Sequence, residues 1–223
     1  MKLLVAVKSC EADVERGHNQ VVRDTWGANM PSGVDLLFFM GGMGQPPKPI
    51  DDIYLPEVKD DYTSLPFKTR AICRYAVDRR YNFVYICDTD TYVIPEKLLK
   101  CGFKDYDYYG LIQRPLGKTF QYDAISREGK HHPSEYFPWA SGGWGYFLSR
   151  KLANIVAHVE PDHWAEDLWV GQIANEQYNH GRVTIGDAKN LAGQCSWHFP
   201  QLQFNSGYDL KFGWQERMYK EHQ

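Results

Sequence analysis

The chain has 223 residues, 43% hydrophobic and 24% charged, which is ordinary globular usage and enough for one domain, residues 1–223, with a sizeable core. A net charge of −3 and a pI near 6.2 exclude a global basic field, so nucleic acid and anionic membrane surfaces are not expected partners. The five cysteines lack metal-finger spacing, and the opening apolar run is too short for a signal segment or a membrane span.

Taken in chain order, Leu3 to Val7 is a continuous apolar run, as in a strand covered on both faces. Asn19 to Trp26 reads as a helix closing at Gly27, and Asp35 to Met40 as a second buried strand. A Gly/Pro loop spans 41–49, and Ile53 to Leu55 forms a short edge element. Pro66 opens a helix to about Arg80, with Phe67, Ala71, Ile72, Tyr75 and Ala76 on its apolar face. Phe83 to Cys87 is a strand, Pro95 to Lys100 a short helix, and Tyr108 to Ile112 a further strand. Residues 113–139 show no periodicity. The block Ser141 to Ser149 leads into a helix over 150–159, Glu166 to Glu176 forms another, and Val183 to Ile185 is a late strand. The tail, 199–223, has aromatics without visible order. Alternating strands and helices predict an α/β sandwich.

The chemistry concentrates where Phe83–Cys87 ends in Asp88-Thr89-Asp90. A buried strand opening onto Asp-x-Asp puts two hard oxygen ligands at the carboxyl edge of a sheet, where open α/β folds bind ligands. Such a pair suits a divalent cation, and the cation in turn suits a diphosphate whose charge grows as its bond breaks. Asp105-Tyr-Asp107 has the same spacing but precedes a strand, so it lacks that placement.

Glu166-Asp167 opens a helix. The residues alone leave two readings open: acids favoured by the helix dipole, or a general base that takes the proton of an attacking hydroxyl. His198, in Cys195-Ser-Trp-His-Phe-Pro200, could complete a site for a Mn²⁺-like ion or serve a structural hydrogen bond; His131-His132 is its main competitor. Arg23 and Lys68 are surface cations or reach a phosphate or a carboxylate. Gly142, Gly143 and Gly145 permit close backbone approach around Trp144, which stacks on a sugar or packs. Seven Trp, fifteen Tyr and eleven Phe fit sugar stacking and a large core equally, so they decide nothing alone. Walker A, Gly-x-Gly-x-x-Gly, Gly-x-Ser-x-Gly and His-Glu-x-x-His sequences are missing. A nucleotidyl- or phosphotransferase using the same ion, and a non-catalytic carbohydrate-binding module, remain as rivals.

Six blocks in order resemble the inverting β-1,3-glycosyltransferases, the family of β-1,3-galactosyl- and N-acetylglucosaminyltransferases and Fringe proteins. They are LLVAVKS, VVRDTWG, DDYTSLPFKT, CDTDTYV, ASGGWGYFLSRKLA and EDLWVG, and the likeness runs over residues 3–198. The resemblance implies a GT-A fold, a mixed and mainly parallel sheet between helices, with a UDP-sugar donor, Mn²⁺, and a glycan or other hydroxyl-bearing acceptor. It implies Asp90 as main metal ligand with Asp88 on metal or ribose and His198 completing the site. It also implies Asp167 as base beside Glu166, and Lys8, Ser9, Arg23, Lys68 and Thr89 around the nucleotide. Thr89 departs from the family's Asp triplet and leaves one carboxylate fewer for ribose or metal; Trp144 is a second departure. The familiar members are Golgi proteins with a membrane anchor and disulfides; this sequence shows neither feature, so a soluble chain is expected, either a cytoplasmic viral or bacterial relative or a trimmed lumenal catalytic domain.

Overall fold

The computed structural model describes residues 1–42, 52–114, 137–189, 195–198, 215 and 218–222, with backbone alone at Trp197 and His198. Strand β1 (Leu3–Ser9) is buried along its whole length and sits inside a seven-stranded sheet. On one side it pairs in parallel with β2 (Val34–Gly41), which carries β3 (Ile53–Leu55) at the edge. On the other it pairs in parallel with β4 (Phe83–Asp88), so Lys8 lies directly across from Asp88. Beyond β4 come β9 (Tyr146–Ser149), antiparallel to both neighbours, then β6 (Tyr108–Gly110) and β10 (Ile185–Asp187).

Alternation along the central strands sorts their side chains between two cores. Leu4, Ala6, Val84 and Ile86 face helices α3 (Leu65–Asp78), α5 (Arg150–Val156) and α6 (Glu166–Asn179). Leu3, Val5, Val7, Tyr85 and Cys87 face the other way. They pack on Val22 of α2 (His18–Asp24), on Trp26, and on Leu98 of α4 (Pro95–Leu98). Lys8 and Asp88 continue the even-numbered series, which turns both toward the face covered by α3 and α6. Parity therefore selects the surroundings of the charged residues before any specific bond does.

Several elements depart from or add to the sequence expectation. The helix α3 buries Pro66, Lys68, Thr69, Ile72, Cys73 and Ala76, whereas Phe67 is 40% exposed. Polar partners for Lys68 and Thr69 draw them inward, and the helix is rotated away from its purely apolar stripe. Tyr146–Ser149 is a buried strand that the sequence left unassigned, and it leads as expected straight into α5, which starts where the Ser149 hydroxyl accepts from the Leu152 N–H at 3.3 Å. Two short strands, β5 (Thr91–Val93) and β11 (Ser196–His198), form an antiparallel pair that local patterning does not reveal. The late strand is Ile185–Asp187 rather than 183–185. A short helix α1 (Glu11–Glu15) fills the polar stretch after β1, and β7 (Ile112–Gln113) pairs with β8 (Trp139–Ala140). The described residues of the tail are helical near Met218. The expected Gly/Pro loop and the stretch 113–139, with His131-His132, lie mostly outside the described residues. Among those described, no helix is long and apolar enough to cross a membrane.

Candidate active site

All parallel strands end at one edge, and there β1 contributes Lys8 and β4 contributes Asp88. The Lys8 ammonium lies 3.1 Å from Asp88 Oδ1 and 2.5 Å from Glu166 Oε1 at the start of α6. Its side chain is 3% exposed, against 34% for Asp88, so the pair has one dry and one wet end. Burial alone would push the Lys8 pKa down, but the Asp88 and Glu166 carboxylates outweigh it and hold the ammonium well above the ordinary lysine range. Lys8 is thus a fixed internal cation that joins the Asp-x-Asp edge to the acidic helix start.

Glu166 is fully committed. Besides Lys8 it accepts from the Thr69 hydroxyl at 2.9 Å and from the Tyr146 hydroxyl at 2.6 Å, both on Oε2. Asp167, one residue on, makes none of these contacts. Among the described residues its oxygens accept backbone N–H groups, from Gly142 at 3.2 Å and from Leu168 at 2.8 Å. Burial, followed by the neighbouring Glu166 charge, pushes its pKa up to about 6. Asp167 is the half-buried member, with a basicity suited to proton abstraction near neutral pH. The dipole reading of this acidic pair is incomplete, since Glu166 looks inward to a lysine rather than capping α6, which has no side-chain cap bond.

The glycine block explains how the two acids come so close to the sheet. A Cβ on Gly142 would sit 2.8 Å from Glu166 Oε1, and one on Gly145, at φ +76°, would strike the Tyr85 hydroxyl. The block's carbonyls are anchored as well. Gly143 accepts from the Thr91 hydroxyl at 2.9 Å, and Trp144 from Tyr85 at 2.7 Å and Ser196 at 2.8 Å. Trp144 itself is half-buried.

Thr89 and Asp90 form the turn from β4 into β5. The β5–β11 register sets the His198 backbone opposite Thr91, the residue after Asp90. A chain separation of more than a hundred residues is closed by this pairing. Carboxylate oxygens with one imidazole fit a Mn²⁺-type cation, although among the described residues no three His, Cys, Asp or Glu side chains gather to hold a metal. The His198 side chain lies outside those described. The competing Asp105–Asp107 pair is excluded by position: Asp107 stands just ahead of β6, where it accepts from the Ser149 hydroxyl and from the Thr184 N–H.

The remaining sequence candidates form a supporting web. Ser9 donates to Asn19 Oδ1 at 2.7 Å, and Asn19 donates to the Asp52 carboxylate at 2.9 Å. Arg23 pairs with that same Asp52 and lies over the Phe38 ring, so it reaches a carboxylate rather than open solvent. Lys68 is 2% exposed, donating to the Ser9 carbonyl at 2.5 Å and to Asp60 at 2.9 Å, which corrects its surface-cation reading. Sequence reasoning missed Thr69, Tyr146, Asn19, Asp52, Asp60 and Asp13. Their partners are distant in the chain, and only the even-odd parity of β1 could have hinted at a counter-charge for Lys8.

An acidic sheet edge, the half-buried Asp167 carboxylate of raised pKa and a glycine block between them thus meet at one edge of the α/β sheet. The family model described as Galactosyltransferase matches residues 18–180, and the chain belongs to that family. Over 200 residues it is 29% identical to chondroitin sulfate synthase 3 of Mus musculus, covering 83% of this chain and 20% of that protein. The Homo sapiens protein of the same name is 28% identical over 198 residues, with the same coverages. The chain thus spans 20% of the length of these curated relatives. A solved glycosyltransferase involved in the glycosylation of the major capsid of PBCV-1 aligns with a TM-score of 0.44 at 11% identity, over 97% of this chain and 100% of that one.

Proposed function

We propose that the chain is a metal-dependent, inverting hexosyltransferase that moves a sugar from a UDP-sugar to an acceptor hydroxyl and forms a β-1,3 linkage. The observation that carries this reading is the contrast at the start of α6. Glu166 is neutralised and triply bonded, while Asp167, at a pKa of about 6, keeps carboxylate capacity for a substrate proton. Likeness to chondroitin sulfate synthase 3 favours a glycan as the acceptor.

In this mechanism Asp90 and His198, with Asp88 beside them, would hold the cation; when bound, it offsets the charge gathering on the departing diphosphate. Lys8 keeps Asp88 in place and prevents Glu166 from competing with Asp167 for the proton. Asp167 takes the acceptor proton on the carboxylate edge left free by Gly142 and Leu168. The acceptor oxygen then attacks the anomeric carbon from the face opposite UDP, so an α-linked donor gives a β-linked product. Gly142–Gly145 keeps that face open by carrying no side chain beyond Trp144.

The test is a panel of UDP-sugars scored for Mn²⁺-dependent hydrolysis and for transfer to glycan acceptors, run beside Asp167→Asn and Asp90→Ala. Asp167→Asn should retain Mn²⁺-dependent UDP binding and lose transfer, whereas Asp90→Ala should lose both. Near-normal turnover by Asp167→Asn would refute the base assignment. Nucleotidyl or phosphoryl products would point to the rival transferase, and glycan binding without UDP or Mn²⁺ to a carbohydrate-binding module.

A further inference from the structure

Thr89 occupies the place where the related family carries the middle carboxylate of its triplet, yet a carboxylate stands beside it. Asp13 of α1, the helix that directly follows β1, accepts the Thr89 hydroxyl on Oδ2 at 3.1 Å. Its other oxygen is bonded to His18 Nδ1 at 2.7 Å, and His18 is buried. The Thr89 carbonyl in turn accepts from Gln215 Nε2 at 2.8 Å. The turn that carries Asp90 is therefore gripped by its side chain from α1 and by its backbone from the tail segment.

We propose that Asp13 is a positioning residue for the donor site, a carboxylate transposed from the Asp-x-Asp turn onto α1, where it orients Thr89 and through it Asp90. This inference rests on the UDP-sugar reading above. The geometry requires it to be a matched pair. A second carboxylate at position 89 would face Asp13 across a hydrogen-bond distance, and like charges at that range repel. Burial would raise the Asp13 pKa, but the bond to His18 outweighs it, with smaller contributions from the Cys10 thiol and Thr89, and keeps the carboxylate below its usual range. With a side chain 13% exposed, Asp13 is held by these neighbours and still borders the edge where the nucleotide would lie.

The experiment is a double-mutant cycle of Asp13→Asn and Thr89→Asp on the full chain, read as UDP affinity with Mn²⁺, as donor KM and kcat, and as Tm. Each single change should weaken UDP binding and raise donor KM by about tenfold or more, the scale of a charge-assisted hydrogen bond, with a smaller effect on kcat. The double variant should recover most of the Thr89→Asp loss, and Thr89→Ser should recover what Thr89→Val loses. Additive losses in the cycle overturn the role of Asp13, and so does a shift in Tm with donor KM unchanged. If the wild type shows no Mn²⁺-dependent UDP binding, the donor reading itself fails. Wild-type binding with an uncoupled cycle sinks the positioning role alone.

Discussion

Behind the carboxyl edge of the sheet lies a dry polar knot of Lys8, Glu166, Thr69 and Tyr146, in which every charge meets a partner within hydrogen-bond reach. In front of it lie Asp88, Asp90 and Asp167, all half-buried. The same residue types serve both regions, and Glu166 and Asp167 are even neighbours in the chain. What separates Glu166 from Asp167 is saturation among the described residues: Glu166 is used up by side-chain partners inside the fold and holds structure, and Asp167, met by backbone amides, can still take a proton. The knot also sets the rim's electrostatics, since Glu166 helps to raise the Asp167 pKa while Lys8 moderates it.

The sharpest break of this contrast is a pair of single changes. Asp167→Asn should cut kcat by about 10²- to 10⁴-fold, the usual yield of general-base catalysis, with the fold intact by circular dichroism. Lys8→Met should instead cost about 3–5 kcal/mol of stability in urea denaturation, because Glu166 is left charged, buried and unpaired. Adding Glu166→Leu to Lys8→Met should return part of that loss; if it deepens the loss, the knot is not held by charge. Next in size is Tyr146→Phe, expected to cost about 1.5–3 kcal/mol through one lost hydrogen bond to a charged group.

The smallest expected effect is the pH dependence of Asp167, and it opposes stability to activity. Its folded pKa is raised to about 6 from the ordinary 3.8, so the native state binds the proton more tightly than the unfolded chain. This group's contribution to stability should therefore fall as pH rises from near 4 through about 6, while transfer should rise over the same window as the base ionises. Asp167→Asn should abolish the acidic limb of the rate profile in its residual activity and remove the pH-dependent loss from the stability curve. An unchanged stability curve in that variant would show that Asp167 is not strained by burial.

Particular elements show how much of this was legible in the chain. The runs of β1 and β4, the Asp-x-Asp that ends β4 and the acidic opening of α6 are local patterns, and each stands where it was expected. The strands β5, β9 and β11 were not legible, because strands of three or four residues take their stability from partners far along the chain. Residue types alone could nominate Asp167 but could not tell it from Glu166, nor see that Lys68 is buried.

The sequence by itself determined the α/β architecture, the family and the sheet edge on which the acids lie, because periodicity and motif order are properties of short stretches. Only the tertiary structure decided which carboxylate is neutralised, which histidine backbone runs beside Asp90 and which helix answers Thr89. Those outcomes depend on desolvation and on pairings across more than seventy residues, and both exist only once the sheet has closed around them.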